Sequence, residues 1–282
     1  VRLRKQSLYA KNMGVPGLIG VLERACGEVK GAKRVINMKQ LQELCAEMGR
    51  SVIAVDAMNI LFYLAGHEGS RGLEVELDHF CGLLRRHELK AACIFDSSRM
   101  SKQRKERAAD RRQQRTAALS ELQDMKKDKG FVPFAARKRH ALLRSRTIHV
   151  DAEQVRAAQH RLSSSGVCTV FMAPDEADSV CVDWVDNGHA FGCVSNDSDM
   201  FVRGCRYVLR KYEPHAGTFE LWDTECVYAS LNLNEEQFRN VCQHSPSKVR
   251  RSHDELHSAL TAFRDGELET EWTWRRRTPV RA

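Results

Sequence analysis

Short apolar runs alternate with amphipathic stretches along most of the chain. SVIAVD at 51–56, AACIFD at 91–96, VCTVFMA at 167–173 and AFGCVS at 190–195 are continuous and rich in Val, Ile, Phe and Cys. Such runs predict strands buried on both faces, hence a parallel sheet. Between them MKQLQELCAEMG at 38–49, LEVELDHFCGLLRRH at 73–87, DAEQVRAAQHRL at 151–162 and DEADSVCVDWVDNG at 175–188 carry helical spacing. Strand–helix alternation predicts an α/β fold with a mainly parallel central sheet flanked by helices. Residues 100–128 hold neither Gly nor Pro and predict one long, mostly polar helix. Beyond about residue 243 the pattern decays to one helical stretch at 253–264 and a tail with Trp272, Trp274 and Arg275–Arg277. Trp beside Arg suits stacking on bases or docking on a partner.

Charge sharpens this picture. Lys and Arg number 45 against 37 Asp and Glu, a net charge of +8. Residues 99–146 alone hold 16 Lys/Arg and five acids, a net +11, so the remainder is slightly acidic. A salt-bridged surface helix needs no such excess of one sign; a basic helical insertion is expected to contact nucleic-acid backbone. No run approaches about 18 consecutive apolar residues, which argues against a membrane span. The ten cysteines include no C-x-x-C pair and mostly sit in apolar runs. They are expected to be small buried hydrophobes in a reducing, intracellular compartment rather than zinc ligands. The first 22 residues carry Arg2, Arg4, Lys5 and Lys11 and no acid. That resembles an organellar transit remnant, so mitochondrial and nuclear locations are both expected readings, with Met13-Gly14 an equally good internal start.

The chemistry lies at the strand ends. VIAVD ends in Asp56, CIFD in Asp96, and FGCVSNDSD delivers Asp197 and Asp199. VFMAPDEAD leads into Glu176 and Asp178 at a helix start. Ligands of open α/β sheets bind off the carboxyl ends of the strands. Six acids gathered there repel one another unless cations neutralise them. Hard divalent ions suit such oxygen donors, and two Mg²⁺ or Mn²⁺ ions about 3.5–4 Å apart hydrolyse phosphodiesters. Each acid has a local alternative: Asp175 with Asp178 as a capping pair, Asp197 and Asp199 in Asx turns, Asp56 and Asp96 capping the helices that follow.

Taken in order, these motifs resemble the flap-endonuclease/XPG family of structure-specific 5′ nucleases, whose core is a PIN-like domain. The resemblance runs through MGVPGLIGVL at 13–22, VIAVDAMNILFYL at 52–64, CIFD at 93–96, GVCTVFMAPDEADSVCVDW at 166–184, CVSNDSDMFVRG at 193–204 and LNLNEEQF at 231–238. It implies a PIN-like/5′-nuclease domain over 13–242, a basic N-terminal extension over 1–12 and a divergent segment over 243–282. It implies metal-binding roles for Asp56, Asp96, Glu176, Asp178, Asp197 and Asp199, with Asp178 standing where the family usually has Glu. It also implies that the basic insertion, about 97–150, is the family's helical arch, where a Lys and an Arg two turns apart steer the scissile phosphate. Lys102, Arg104, Lys105, Arg107, Arg111 and Arg112 are candidates. Arg104 with Arg111, and Lys105 with Arg112, each have the seven-residue spacing that shares a helix face.

The chain departs from the family in places. Ser97 replaces a Gly, and CQHSPSKV, with Lys248, stands where a seventh acid and a Gly-rich helix–turn–helix are expected. Two functions are therefore carried forward. One is a metal-dependent nuclease on flapped or branched DNA or structured RNA. The other is a nuclease-like, weakly active or inactive RNA-binding scaffold subunit of a larger ribonucleoprotein. A haloacid-dehalogenase-like phosphatase fits poorly, because the D-x-D at 197–199 lies late in the chain.

Overall fold

The computed structural model describes residues 18–26, 31–66, 71–97, 102–127, 139–140, 143–144 and 146–244. The basic arm, the MGVPG motif, Lys248, the 253–264 stretch and the Trp/Arg tail lie outside them.

A seven-stranded mixed sheet forms the centre, ordered β1-β7-β6-β5-β2-β3-β4. Its strands are β1 (Lys33–Asn37), β2 (Val52–Asp56), β3 (Lys90–Phe95), β4 (Cys168–Met172), β5 (Cys193–Val194), β6 (Tyr207–Glu213) and β7 (Thr218–Asp223). The expected parallel part is there: β6, β5, β2, β3 and β4 pair in parallel. The hairpin β6–β7 and edge strand β1 add an antiparallel flank. The run at 190–195 shortens to two residues of strand. Just before it Gly192 lets the backbone run close to β6, because a Cβ there would meet the Tyr207 carbonyl oxygen at 2.7 Å.

Period-two alternation sends side chains to two helical layers. Ile53, Val55, Cys93, Phe95, Leu209 and Leu221 face one core. That core is covered by α2 (Met38–Glu47), α3 (Ala57–Gly66), α4 (Leu73–Arg86) and, after the basic helix α5 (Lys102–Lys127), α6 (Ala152–Ser164). Ala54, Ile94, Cys193, Val208 and Trp222 face the other. It is covered by α1 (Leu18–Cys26), α7 (Ala177–Asp186), the turn α8 (Asp199–Val202), α9 (Thr224–Ser230) and α10 (Glu235–His244). Local signals start the helices: Asn37 with Gln40, and Asp151 with Gln154, form reciprocal capping boxes.

Every cysteine is free, and all but Cys226 are buried. No helix among the described residues is long and apolar enough to cross a membrane. Phe80 is fully buried and packs edge-on against Tyr212 at 5.3 Å. Phe80→Ala is expected to cost about 3–5 kcal/mol, read as a lowered urea midpoint with unchanged slope.

A carboxylate crevice at the switch point of the sheet

From β2 the chain moves outward through β3 to β4, then returns to place β5 and β6 on β2's other side. The β2/β5 boundary is therefore the topological switch point, where diverging connections open a crevice at the strands' carboxyl ends. Asp56 closes β2 at this boundary, and the turn after β5 delivers Asp197 and Asp199 to its other wall.

Asp56 is buried, with 6% of its surface exposed. Its Oδ1 accepts the Asn59 N–H at 3.1 Å, capping α3, and its Oδ2 accepts the Ser195 hydroxyl at 3.0 Å. The same Ser195 Oγ accepts the Asp197 N–H at 3.1 Å, so one hydroxyl links the two walls. Asn59 adds a second link, its Oδ1 accepting the Asn196 N–H at 2.8 Å. Asn196 Oδ1 in turn accepts the Lys211 N–H at 2.8 Å. Lys211 adopts a left-handed φ of 46° beside the irregularity in β6. Asp197 Oδ1 accepts the Asp199 N–H at 2.9 Å, the expected Asx turn.

On the β3/β4 side, Asp96 Oδ1 accepts the Ala177 N–H at 3.0 Å, so Asp96 satisfies a donor in the first turn of α7. Ser97 N–H donates to the Asp175 carbonyl at 3.0 Å. The N-cap of α7 is Glu176, which makes no side-chain capping bond; this replaces the expected capping pair of Asp175 and Asp178. The Glu176 side chain turns instead to Arg203, whose Nη2 donates to Oε2 at 3.0 Å. The same Nη2 lies 3.8 Å from Asp178 Oδ2.

The electrostatics tie all six acids together. Burial raises the pKa of Asp56 well above the usual carboxylate range, and the negative charges of Asp178 and Asp96 raise it further. Asp178 is pushed up to about 6 by burial, partly opposed by Arg203 and reinforced by Asp197, Glu176 and Asp96. Asp199 is pushed up to about 7 by burial and by Asp197, with Asp178 and Glu176 adding. Arg210, buried on β6, also feels Asp197 and lies 5.8 Å from the Phe201 ring. Burial lowers its pKa.

The donors are hard oxygens, and they fit a divalent ion in chemistry. Among the described residues, however, no three acidic, His or Cys side chains already stand arranged around one point as a metal cage. Asp56, Asp96, Asp197 and Glu176 each hydrogen-bond a separate partner instead.

The long polar helix expected over 100–128 is α5. Lys102, Arg104, Lys105, Arg107, Arg111 and Arg112 all lie on α5. Arg111 and Arg112 are exposed; the side chains of Lys102, Arg104, Lys105 and Arg107 are outside the described set. Sequence reasoning missed Asn59, Ser195, Asn196, Arg203 and Arg210. Asn59, Ser195, Asn196 and Arg203 all stand inside motifs already singled out, but nothing in the pattern marks Arg203 as a partner of Glu176.

Residues 168–246 match the family model of the XPG I-region. No curated protein matches the chain in sequence. Solved structures resemble it in fold, three of them as follows. The catalytic core of Rad2 in complex with a DNA substrate gives a TM-score of 0.52 at 16% identity, covering 83% of this chain and 62% of that one. The Holliday junction-resolving enzyme GEN1, in complex with product DNA and a Mg²⁺ ion, gives 0.55 at 14% identity, covering 89% and 53%. Flap endonuclease-1 from Methanococcus jannaschii gives 0.55 at 14% identity, covering 84% and 77%. The chain thus spans less than two thirds of the Rad2 and GEN1 chains.

Proposed function

We infer that this chain, whose residues 168–246 match the XPG I-region model, belongs to the XPG/flap-endonuclease family and is a metal-dependent nuclease that hydrolyses phosphodiester bonds in branched or flapped DNA. The observation that carries the reading is the placement of the strand-end carboxylates at the switch point, where the Ser195 hydroxyl joins Asp56 to Asp197 and Asp96 holds the first turn of α7 beside Glu176 and Asp178. Burying so much like charge is costly unless a cation uses it. The solved GEN1 complex with product DNA and Mg²⁺ supports the choice of ion and polymer.

Asp56, Asp96, Glu176, Asp178, Asp197 and Asp199 would hold the ion or ions, Mg²⁺ or Mn²⁺. Bound there, a divalent ion supplies an acidified water and a counter-charge for the phosphate oxygens. The chain's own residues do the rest. Ser195 and the Asn59 backbone aim the two oxygens of Asp56, and the Asx turn fixes Asp197 relative to Asp199. Arg111 and Arg112, with Lys102, Arg104 and Lys105 on the same helix, would draw the phosphate backbone toward the crevice.

A cleavage assay tests this. With Mg²⁺ the protein should cut a 5′-flap or bubble DNA, or a structured RNA, and with EDTA it should not. Binding without cutting, on every substrate and with either Mg²⁺ or Mn²⁺, would favour the scaffold reading instead. Binding should also weaken steeply with salt. Reversing the charge of Arg104, Lys105, Arg111 and Arg112 should flatten the log–log salt slope by about one for each phosphate no longer neutralised. An unchanged slope would put the footprint elsewhere.

A further inference from the structure

We propose that Arg203 is the crevice's own cation: its guanidinium engages Glu176 and Asp178 in the place of a second divalent ion, so that the crevice binds one such ion tightly and a second only weakly. This rests on the nuclease reading above and adds to it a residue that sets the metal count.

The placement of Arg203 is built by the backbone. It follows α8, and its N–H donates to the Asp199 carbonyl at 2.8 Å. From α10, Arg239 Nε donates to the Val202 carbonyl at 3.1 Å, pinning the same turn from the other side. Gly204 continues it with a φ of +80°, and the Glu235 carboxylate fills the space where a Cβ would stand, 2.6 Å from that position. A side chain at 204 would be strained by this left-handed backbone and would have to push the Glu235 carboxylate aside.

So held, Arg203 reaches across to α7. Its Nη1 donates to Ser179 Oγ at 2.7 Å while Nη2 takes Glu176 at 3.0 Å and approaches Asp178 at 3.8 Å. The three charged side chains are 22%, 19% and 21% exposed, sheltered enough for the pairing to matter. A guanidinium stays charged at all working pH values, and its planar fork matches carboxylate geometry. An ion that uses the oxygens of Glu176 and Asp178 must therefore displace Arg203 or share them with it. The carboxylates of Asp56, Asp96, Asp197 and Asp199 remain for the tight ion.

The test counts bound Mn²⁺ in the nucleic-acid-free protein, from the electron paramagnetic resonance signal of free Mn²⁺ during a titration. Wild-type protein should take up one Mn²⁺ tightly and a second much more weakly. Arg203→Gln keeps hydrogen-bonding groups but removes the charge, and should tighten the second Mn²⁺ by about tenfold or more. Arg203→Lys restores the charge and should return toward wild type. Melting in EDTA checks that each variant folds, and the wild-type titration needs no variant at all. Two equally tight Mn²⁺ ions in wild type, unchanged in Arg203→Gln, would overturn the role of Arg203 and leave the metal reading standing. No bound Mn²⁺ in either protein would remove the metal reading, and this inference with it.

Discussion

Changing Asp197 and Asp199 together to Asn is expected to lower cleavage by at least ~10³-fold, the loss that follows when ions stabilising a transition state are no longer held. The pair sits on the β5 wall of the crevice, and both substitutions keep side-chain shape and the ability to accept a hydrogen bond. The Asx turn from Asp197 Oδ1 to the Asp199 N–H survives an Asn at 197. The fold should persist, and binding through the basic helix should persist with it, because α5 contributes none of these groups. Gel-shift affinity and circular dichroism separate this outcome from simple unfolding. A double variant that binds normally and cuts at the wild-type rate would show that these acids do not serve catalysis.

The metal-free protein is expected to lose stability as pH rises. Asp178 and Asp199 are raised to about 6 and about 7, against an ordinary value near 3.8. Between those limits the folded chain keeps protons that the unfolded chain has released. The corresponding stability is present in full below about pH 4 and is gone above about pH 7. Each pK unit corresponds to about 1.4 kcal/mol, so the two groups together give a few kcal/mol. In EDTA the melting temperature should fall by about 5–10 °C between pH 5 and pH 8. Mg²⁺ at pH 8 should recover most of that loss, since a ligand of the folded state stabilises it by mass action. Asp197→Asn with Asp199→Asn should flatten the EDTA profile, because one raised carboxyl is removed and the other loses a charged neighbour. A wild-type profile in EDTA that is flat, or that rises with pH, would contradict the picture of raised carboxyls in an acidic crevice.

The sequence pattern reached the site before it reached the whole fold. β2 and β3 are legible because both faces are buried and their runs are continuously apolar; β4 shows the same apolar run but is an edge strand with Thr169 and Met172 exposed, so the expected burial of both its faces does not hold. The acids at 56, 96, 176, 178, 197 and 199 stand out because each interrupts or ends such a run. β6 and β7 escape the same reading. YVLRKYE puts Arg210 and Lys211 in mid-strand, and only packing shows that Arg210 is buried while Lys211 turns out through a left-handed backbone. β1 escapes because it is an edge strand with Val35 65% exposed, so its pattern is polar where a central strand's would be apolar. α3 is apolar nearly all round and shows no helical face in sequence. Arg203 is the clearest case. FVRG gives it no special mark, and only the β2/β5 switch and the clamp from α10 bring it to Glu176, 27 residues earlier in the chain.

Whether the strand-end carboxylates form one divalent-ion centre can be read from anomalous diffraction of crystals soaked in MnCl₂. A strong Mn²⁺ peak is expected in the crevice between Asp56 and the Asp197–Asp199 turn, within coordination distance of at least three of the six carboxylates. Mn²⁺ peaks found only elsewhere on the protein, with the crevice carboxylates still apart, would refute a shared metal centre.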